Sequence, residues 1–241
     1  MVKSFEGNTW VAFIDISGFK QMLTKDVKQA ERALEKFYKK ISTEVFTINN
    51  TINSSSSPYE IYSDKPSINS VVVSDAAVLF IDNQNLAENK TRDLHIMLDL
   101  IKSVNLSLID PAKKTQIMTT CAIDYGHFKY DNKSYNIHIT KSFFYGSAYV
   151  NAYLGNGTLS DRTGFCRVLT SDFTIPEMLK KSSPFNLLSQ VNSVEKNFDF
   201  YWMLSDPEKI VTFRDTYDNV AQSLYTQIAK LLSTELKDGE V

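Results

Sequence analysis

The sequence predicts an α+β fold in which an antiparallel-rich sheet carries helices mainly on one face. Two observations support this prediction. Short apolar runs alternate with longer segments of helical periodicity along the 241 residues. Several of the apolar runs also come in pairs separated by turn residues, as in antiparallel hairpins. A hydrophobic content of 43% is ordinary for one sizeable core, so we expect a single domain.

The first predicted strand is the apolar run 10–14, which is uninterrupted and therefore typical of a strand covered on both faces. Gly18 follows shortly after it and permits a sharp turn. Residues 20–48 carry apolar side chains at helical spacing and predict a long helix. The polar, serine-rich segment 49–67 is predicted to be a surface loop that folding does not require.

The middle of the chain predicts two strand pairs with a helix between them. Residues 71–73 and 76–81 are apolar and flank Ser74 and Asp75, which form the tip of a predicted hairpin. Residues 86–108 have helical spacing. Residues 117–125 and 135–139 are predicted to form the second strand pair.

The last third predicts short elements and a final helix. Residues 147–154 predict a short helix before a glycine-rich loop at 155–157, and 166–169 and 198–204 predict short strands. A capping-box pattern with proline in the first turn starts a helix at about 206–237. This element order lies within the ferredoxin-like range of α+β folds, with a core of about 8–205.

Composition argues against several classes of partner. The formal charge of −2 gives no electrostatic basis for binding nucleic acid or a membrane surface. No apolar run approaches the roughly 18–20 residues of a membrane span, and the amino terminus lacks the apolar core of a signal peptide. Cys121 and Cys166 match no metal-ligand spacing. We expect a cytoplasmic protein that binds neither nucleic acid nor membrane.

Two aspartates are the candidate catalytic residues. Asp15 follows an apolar strand and precedes a turn into a helix, where free backbone N–H groups bind phosphate oxygens. Asp75 lies between two apolar strands, where a charged side chain needs a partner or a metal ion. Together they fit a two-metal site for phosphoryl chemistry. Taken singly, each also fits a helix cap or a turn former.

These motifs resemble those of class III nucleotidyl cyclases, in order along the chain. Residues 11–19 resemble the first metal motif, and residues 72–80 are similar to the second, with Ser74 in place of the usual glycine. Residues 121–126, 145–153 and 166–171 are similar to three later blocks. The resemblance covers about residues 8–205 and implies the cyclase catalytic-domain fold. It also implies that Asp15, Asp75 and the Ile16 carbonyl bind two divalent cations, Mn²⁺ or Mg²⁺.

Within that family, residues 146–153 are most similar to bacterial Pycsar cyclases, which make cyclic pyrimidine nucleotides. The resemblance implies a nucleoside triphosphate substrate, UTP ahead of CTP. The products would be a 3′,5′-cyclic monophosphate and pyrophosphate, and the cyclic nucleotide would act as a second messenger in antiphage defence. Family sites lie between two subunits, so a homodimer is implied.

Further nucleotide contacts follow from the same resemblance. The backbone N–H groups of Ser17, Gly18 and Phe19 are expected to hold the terminal phosphates, with Lys20 next to them. Val71 and Phe143 occupy positions where purine cyclases commonly have polar side chains, and neither can hydrogen-bond a purine edge. Phe143 or Tyr145 is expected to stack on a smaller base.

The predicted helix at 147–154 departs from the family pattern. Its usual Asn and Arg positions hold Val150 and Leu154, while Asn151 is one residue out of register. Arg162 and Arg167 are later arginines that offer a substitute. Two alternatives therefore stay open: a purine cyclase with an unfamiliar pocket, and a catalytically silent cyclase-like domain that binds a nucleotide or a partner.

Overall fold

The computed structural model of the chain describes residues 4–59, 64–84, 86–109, 117–136, 139–159, 163–169, 174–191, 197–204 and 207–211. Within these ranges the strands are β1 (Phe5–Ile16), β2 (Ser67–Val73), β3 (Ala76–Asp82), β4 (Thr119–Asn136), β5 (Ile139–Tyr145), β6 (Cys166–Leu169), β7 (Leu188–Gln190) and β8 (Phe198–Phe200). The α-helices are α1 (Phe19–Lys25), α2 (Val27–Asn53), α3 (Lys90–Leu108) and α4 (Ser147–Gly157). Short 3₁₀ turns cover Glu177–Leu179, Phe185–Leu187 and Pro207–Lys209.

The strands of the described ranges form one sheet in the order β2-β3-β1-β4-β6-β8-β7, with β5 paired to β4 off this path. All neighbours are antiparallel except β4 and β6, which run parallel. Residues 9–14 of β1 are buried, as an uninterrupted apolar strand inside a covered sheet should be. The predicted α+β class and antiparallel-rich sheet are confirmed.

The two faces of the sheet carry different helices. Because successive side chains in a strand point to opposite faces, Trp10 and Ile14 of β1 join the larger core, which α2 and α3 cover. Val11 and Phe13 join a smaller cluster, to which α4 contributes Ala148. We call this second side the α4 face. The two long helices therefore share one face, as predicted, and α4 lies on the other.

The segment predicted to be a dispensable loop at 49–67 is partly helical and packs into the core. Residues up to Asn53 belong to α2, and Ile52 and Tyr59 are buried. The Asn49 side chain also donates to the Ile68 carbonyl at 2.9 Å and accepts from the Ile68 N–H at 2.8 Å. These contacts tie the end of α2 to β2, so the prediction of a surface loop was wrong for the part described.

Other boundaries differ from prediction in smaller ways. The helix predicted at 20–48 is two helices, because the Asp26 side chain accepts from the Gln29 N–H and caps a new start. The loop predicted at 155–157 is the last turn of α4. The strand predicted at 135–139 is misplaced, because 135–136 end β4, 137–138 lie outside the described residues, and the partner strand β5 starts at 139. Of the final helix predicted at 206–237, only residues 207–211 lie among those described, and they begin with a 3₁₀ turn.

The positions of the two cysteines and the lengths of the helices can also be compared with the sequence predictions. Cys121 and Cys166 lie directly opposite each other in β4 and β6, and both thiols are buried. No helix among the described residues has the length and apolar character needed to cross a membrane.

Candidate active site

Asp15 and Asp75 lie at the same end of the β1–β3 pair. Asp15 is opposite Ala76 in register, and the Ile16 N–H donates to the Asp75 carbonyl at 3.0 Å. Ser74 adopts a left-handed conformation with φ of 55°, which closes the two-residue turn between β2 and β3. The structure therefore brings together the two aspartates that the sequence singled out separately.

The electrostatics of Asp15 reflect this arrangement. Burial and, to a smaller extent, the negative charge of Asp75 raise the pKa of the Asp15 carboxyl to about 6, against a hydrogen bond from the Ile16 backbone that lowers it. Two carboxylates that repel each other across a half-buried turn suit a divalent cation, which would cancel the repulsion.

The donor set fits a hard cation. Mg²⁺ is usually held by one or two carboxylates together with substrate phosphates, and Mn²⁺ prefers the same oxygen ligands. In the described part of the chain, no group of three or more His, Cys, Asp or Glu side chains is placed to hold a metal ion. Asp15 and Asp75 therefore fit a site that backbone and substrate oxygens complete, rather than an all-protein cage.

The turn after β1 offers room for a ligand. Gly18 has a φ of 72°, and a Cβ added to it would meet no heavy atom within 4 Å. The N–H groups of Gly18 and Phe19 lie at the start of α1, where a helix leaves N–H groups without intrahelical partners. Lys20 is exposed in the first turn. Ser17 differs from prediction, because its N–H already donates to the Met118 carbonyl at 2.9 Å.

An aromatic cluster lies on the α4 face beyond Asp15. Val71 is half-buried and packs against the same cluster as Phe144 and Tyr149, whose ring centroids are 4.8 Å apart. Phe13 contacts Tyr153 edge-on at 5.2 Å. Because Asp15 and Phe13 are both odd-numbered residues of β1, the aspartate and the aromatic cluster share one face of the sheet.

Comparison with solved structures shows the fold. The adenylyl cyclase CyaB from P. aeruginosa matches with a TM-score of 0.52 and 10% identity, over 83% of this chain and 96% of that one. The fold is that of class III cyclase catalytic domains.

Two further cyclases match at similar levels. A bacterial light-regulated adenylyl cyclase matches with a TM-score of 0.54 and 11% identity, over 98% of this chain and 59% of that one. The guanylate cyclase domain of RhGC from Catenaria anguillulae, in complex with GTP, matches with a TM-score of 0.50 and 15% identity, over 83% of this chain and 98% of that one. No protein-family model matches the sequence, and the search of curated proteins gave no match.

The cyclase fold places the predicted base-pocket residues on different sides of the sheet. Phe144 lies opposite Tyr130 and belongs to the cluster that includes Val71, whereas Phe143 lies opposite Asp131. Consecutive strand residues point to opposite faces, so Phe143 and Tyr145 point away from Val71. Val71 and Phe144 therefore share one face of the sheet, and Phe143 lies on the other.

The later arginines also differ from expectation. Arg167 is held by Asp199, with Nε to Oδ1 at 2.7 Å and a second contact at 3.4 Å, so this guanidinium joins β6 to β8 and does not stand ready for a nucleotide. Arg162 lies outside the described residues. Val150 and Leu154 are exposed on α4, at 46% and 59%.

Asp124 is not among the residues that the sequence motifs pick out, and it lies in β4 on the α4 face, opposite Val11. It is 7% exposed, and its carboxylate accepts from Nδ2 of Asn151 at 2.9 Å. Burial raises the pKa of Asp124 to about 6, against hydrogen bonds from Asn151 and the Tyr125 backbone that lower it. The available signal was one carboxylate inside an apolar strand, which must have a partner.

Proposed function

We propose that this protein is a nucleotidyl cyclase that converts a pyrimidine nucleoside triphosphate, UTP ahead of CTP, into its 3′,5′-cyclic monophosphate and pyrophosphate. The observation that carries the proposal is the convergence of Asp15 and Asp75 at one turn of a cyclase fold. The cyclic product would serve as a second messenger in antiphage defence, which follows from the resemblance to the Pycsar enzymes.

The chain's own residues have distinct tasks in this reaction. Asp15, Asp75 and the Ile16 carbonyl would hold two divalent cations, Mn²⁺ or Mg²⁺. When bound, the cations would neutralise the triphosphate charge and favour loss of the ribose 3′-hydroxyl proton to solvent. The 3′-oxygen would then form a bond to the α-phosphorus while the bond from that phosphorus to pyrophosphate breaks. The N–H groups of Gly18 and Phe19, with Lys20, would bind the terminal phosphates.

The preference for a pyrimidine is supported by the side chains near the site. Val71, Phe144 and Tyr149 are apolar or aromatic, so they offer a surface for stacking and little that reads the polar edge of a purine. A purine substrate is the second candidate, because the solved structures that share this fold are named adenylyl and guanylate cyclases. The same experiment separates the two.

A homodimer is part of the proposal. The outer surface of α4 exposes Val150, Tyr153 and Leu154, which are large apolar or aromatic side chains on one helix. Contiguous exposed apolar surface of this kind marks interaction sites, and a second copy of the chain would cover it. Val150 and Leu154 also stand where the family usually has polar side chains, which is the basis for the third candidate, a silent cyclase-like domain.

The test is incubation of the protein with an equimolar mixture of the four nucleoside triphosphates and Mn²⁺, followed by mass spectrometry of the products. We expect cyclic UMP first and cyclic CMP second, with no product from Asp75→Asn. Sedimentation of the same samples should show a dimer. A cyclic purine as the main product would favour the second candidate. No product from a folded wild-type protein would favour the silent domain.

A further inference from the structure

A buried carboxylate holds an exposed amide on α4, outside the two metal motifs. Asp124 lies in β4 between Val11 of β1 and Leu169 of β6, well inside the sheet. Its carboxylate has no cationic partner among the described residues, and its side-chain partner is Nδ2 of Asn151 at 2.9 Å. Burial of a carboxylate in apolar surroundings is costly, so a structural contact alone would be better served by a neutral group.

The backbone of α4 is fixed against the sheet around this contact. A Cβ added to Gly146 would lie 2.2 Å from the carbonyl oxygen of His127, so the start of α4 lies directly on β4. Ala148 and Ala152 are fully buried beneath the helix. The position of Asn151 is therefore set by packing, and its remaining freedom is the orientation of its carboxamide.

The Asp124 contact removes that freedom. An ionised carboxylate can only accept hydrogen bonds, so the amide must turn Nδ2 toward Asp124. Oδ1 of Asn151 then points away from Asp124 as an acceptor. Asn151 is exposed and has Val150 and Leu154 as exposed apolar neighbours on the same helix. Asn151 therefore presents one fixed acceptor on α4, the helix that covers the same face of the sheet as Asp15.

We propose that Asp124 is a positioning residue that orients Asn151, so that Oδ1 of Asn151 accepts a hydrogen bond from the nucleoside of the bound triphosphate. The inference rests on the proposed function, since it assigns a contact of the same substrate. Asn151 lies one residue from the position where the family usually has Asn. Its hydrogen bond to Asp124 of β4 nevertheless gives it a defined orientation and role.

The experiment measures nucleotide affinity without turnover. The probes are the α,β-methylene triphosphates of uridine, cytidine, adenosine and guanosine with Mn²⁺, whose carbon bridge cannot be cleaved, and the method is calorimetry on the full chain. Asn151→Ala should weaken the best-bound analogue about tenfold, as loss of one hydrogen bond does. Asp124→Asn should weaken it several-fold, because the amide at 151 is no longer held in one orientation.

Two double variants test whether Asp124 acts through Asn151. Asp124→Asn with Asn151→Ala should bind no more weakly than Asn151→Ala alone. Asp124→Asn with Asn151→Asp exchanges the pair, so an amide in β4 again holds an outward acceptor at 151, and affinity should return to within about threefold of wild type. Thr158→Ala, an exposed polar change at the end of the same helix, is the control and should bind as wild type does.

Three results overturn the inference. Wild-type affinity in a folded Asn151→Ala protein, or in Asp124→Asn with Asn151→Ala, where no buried carboxylate loses its partner, would show that Asn151 does not touch the nucleotide. Losses that multiply in the Asp124 and Asn151 double variant would show that Asp124 acts independently. If wild type itself binds none of the four analogues and forms no cyclic product, the proposed function fails and takes this inference with it.

Discussion

Replacing Asp15 with Asn should stabilise the metal-free protein while abolishing turnover. The pKa of Asp15 rises from its ordinary value of 3.8 to about 6 in the folded chain, because burial and the charge of Asp75 both disfavour the ionised form. Ionised Asp15 therefore destabilises the fold at neutral pH. A rise of this size corresponds to about 3 kcal/mol. Solvent screening of the partly exposed side chain reduces it to about 1–2 kcal/mol.

The assay is thermal unfolding in a chelator, since a bound cation would cancel the effect. At pH 7.5, a gain of this size should raise the Tm of Asp15→Asn by about 3–6 °C. The gain should fade as the pH falls through 6 toward 3.8, because Asp15 is then protonated in the folded wild type as well. The side chain of Asn can still accept from the Ile16 N–H, so the substitution removes charge and little else.

Added Mn²⁺ provides the second half of the test. Wild type should gain stability with Mn²⁺, because a ligand that binds only the folded state raises the Tm, and Asp15→Asn should gain much less. Asp82→Asn is the matched control, since it lies at the other end of β3 and keeps an acceptor for the Gln84 N–H. An Asp15→Asn protein that is less stable than wild type in chelator would refute the idea that burial and the charge of Asp75 destabilise ionised Asp15.

Three further predictions address the fold and the base pocket. Gly146→Ala should prevent α4 from packing on β4 and abolish soluble expression, because the added Cβ would lie 2.2 Å from the His127 carbonyl oxygen. In the control Gly157→Ala the added Cβ meets open space, so this change should be neutral or stabilising. Ile52→Ala should lower the free energy of unfolding in urea by about 2–5 kcal/mol, against no change for the exposed Ser55→Ala. Val71→Lys should reduce pyrimidine turnover in the mixed-triphosphate assay, and Phe143→Asp should not. The opposite ranking would restore Phe143 to the pocket.

Much of the fold could be predicted because its signals are local. The run 10–14 and the hairpin around Asp75 are marked by uninterrupted apolar residues and by turn formers, and both lie where predicted. The segment after Asn49 was misjudged because its polar composition resembles a loop. Its burial depends on contacts with other elements, such as the Tyr59 hydroxyl donating to Asp99 at 2.8 Å. Strand β7 has three residues, too few for any periodicity to show.

The same difference between local signals and contacts of distant residues applies to the candidate site. Asp15 and Asp75 each carry a local pattern, so the resemblance could place both. The partner of Arg167 is 32 residues away and that of Asn151 is 27 residues away, and no spacing rule connects such pairs. Phe143 was selected because it occupies a position where purine cyclases commonly have a polar side chain, and that position is found by counting residues along the chain. Counting fixes a position in β5 but not which of two consecutive side chains faces the cluster, and an error of one residue reverses the face.

Asp15 and Asp124 both have a pKa raised to about 6, chiefly by burial. A bound cation should make the two pKa values differ. Asp15 is also raised by Asp75, and a bound cation would lower its pKa well below 6. Asp124 lies opposite Val11, four residues from Asp15 along β1 and so roughly 14 Å away, and its side-chain partner is an amide.

At saturating Mn²⁺, the fall of kcat/KM on the acid side of about pH 6, which we call the acid limb, should therefore reflect protonation of Asp124. As the pH falls below about 6, protonated Asp124 can donate as well as accept, so it no longer forces Nδ2 of Asn151 inward, and turnover should drop. In Asp124→Asn the limb should disappear while activity above pH 7 stays reduced. A limb that persists unchanged in this variant, or that moves with Mn²⁺ concentration in wild type, would assign it to the metal-binding aspartates instead.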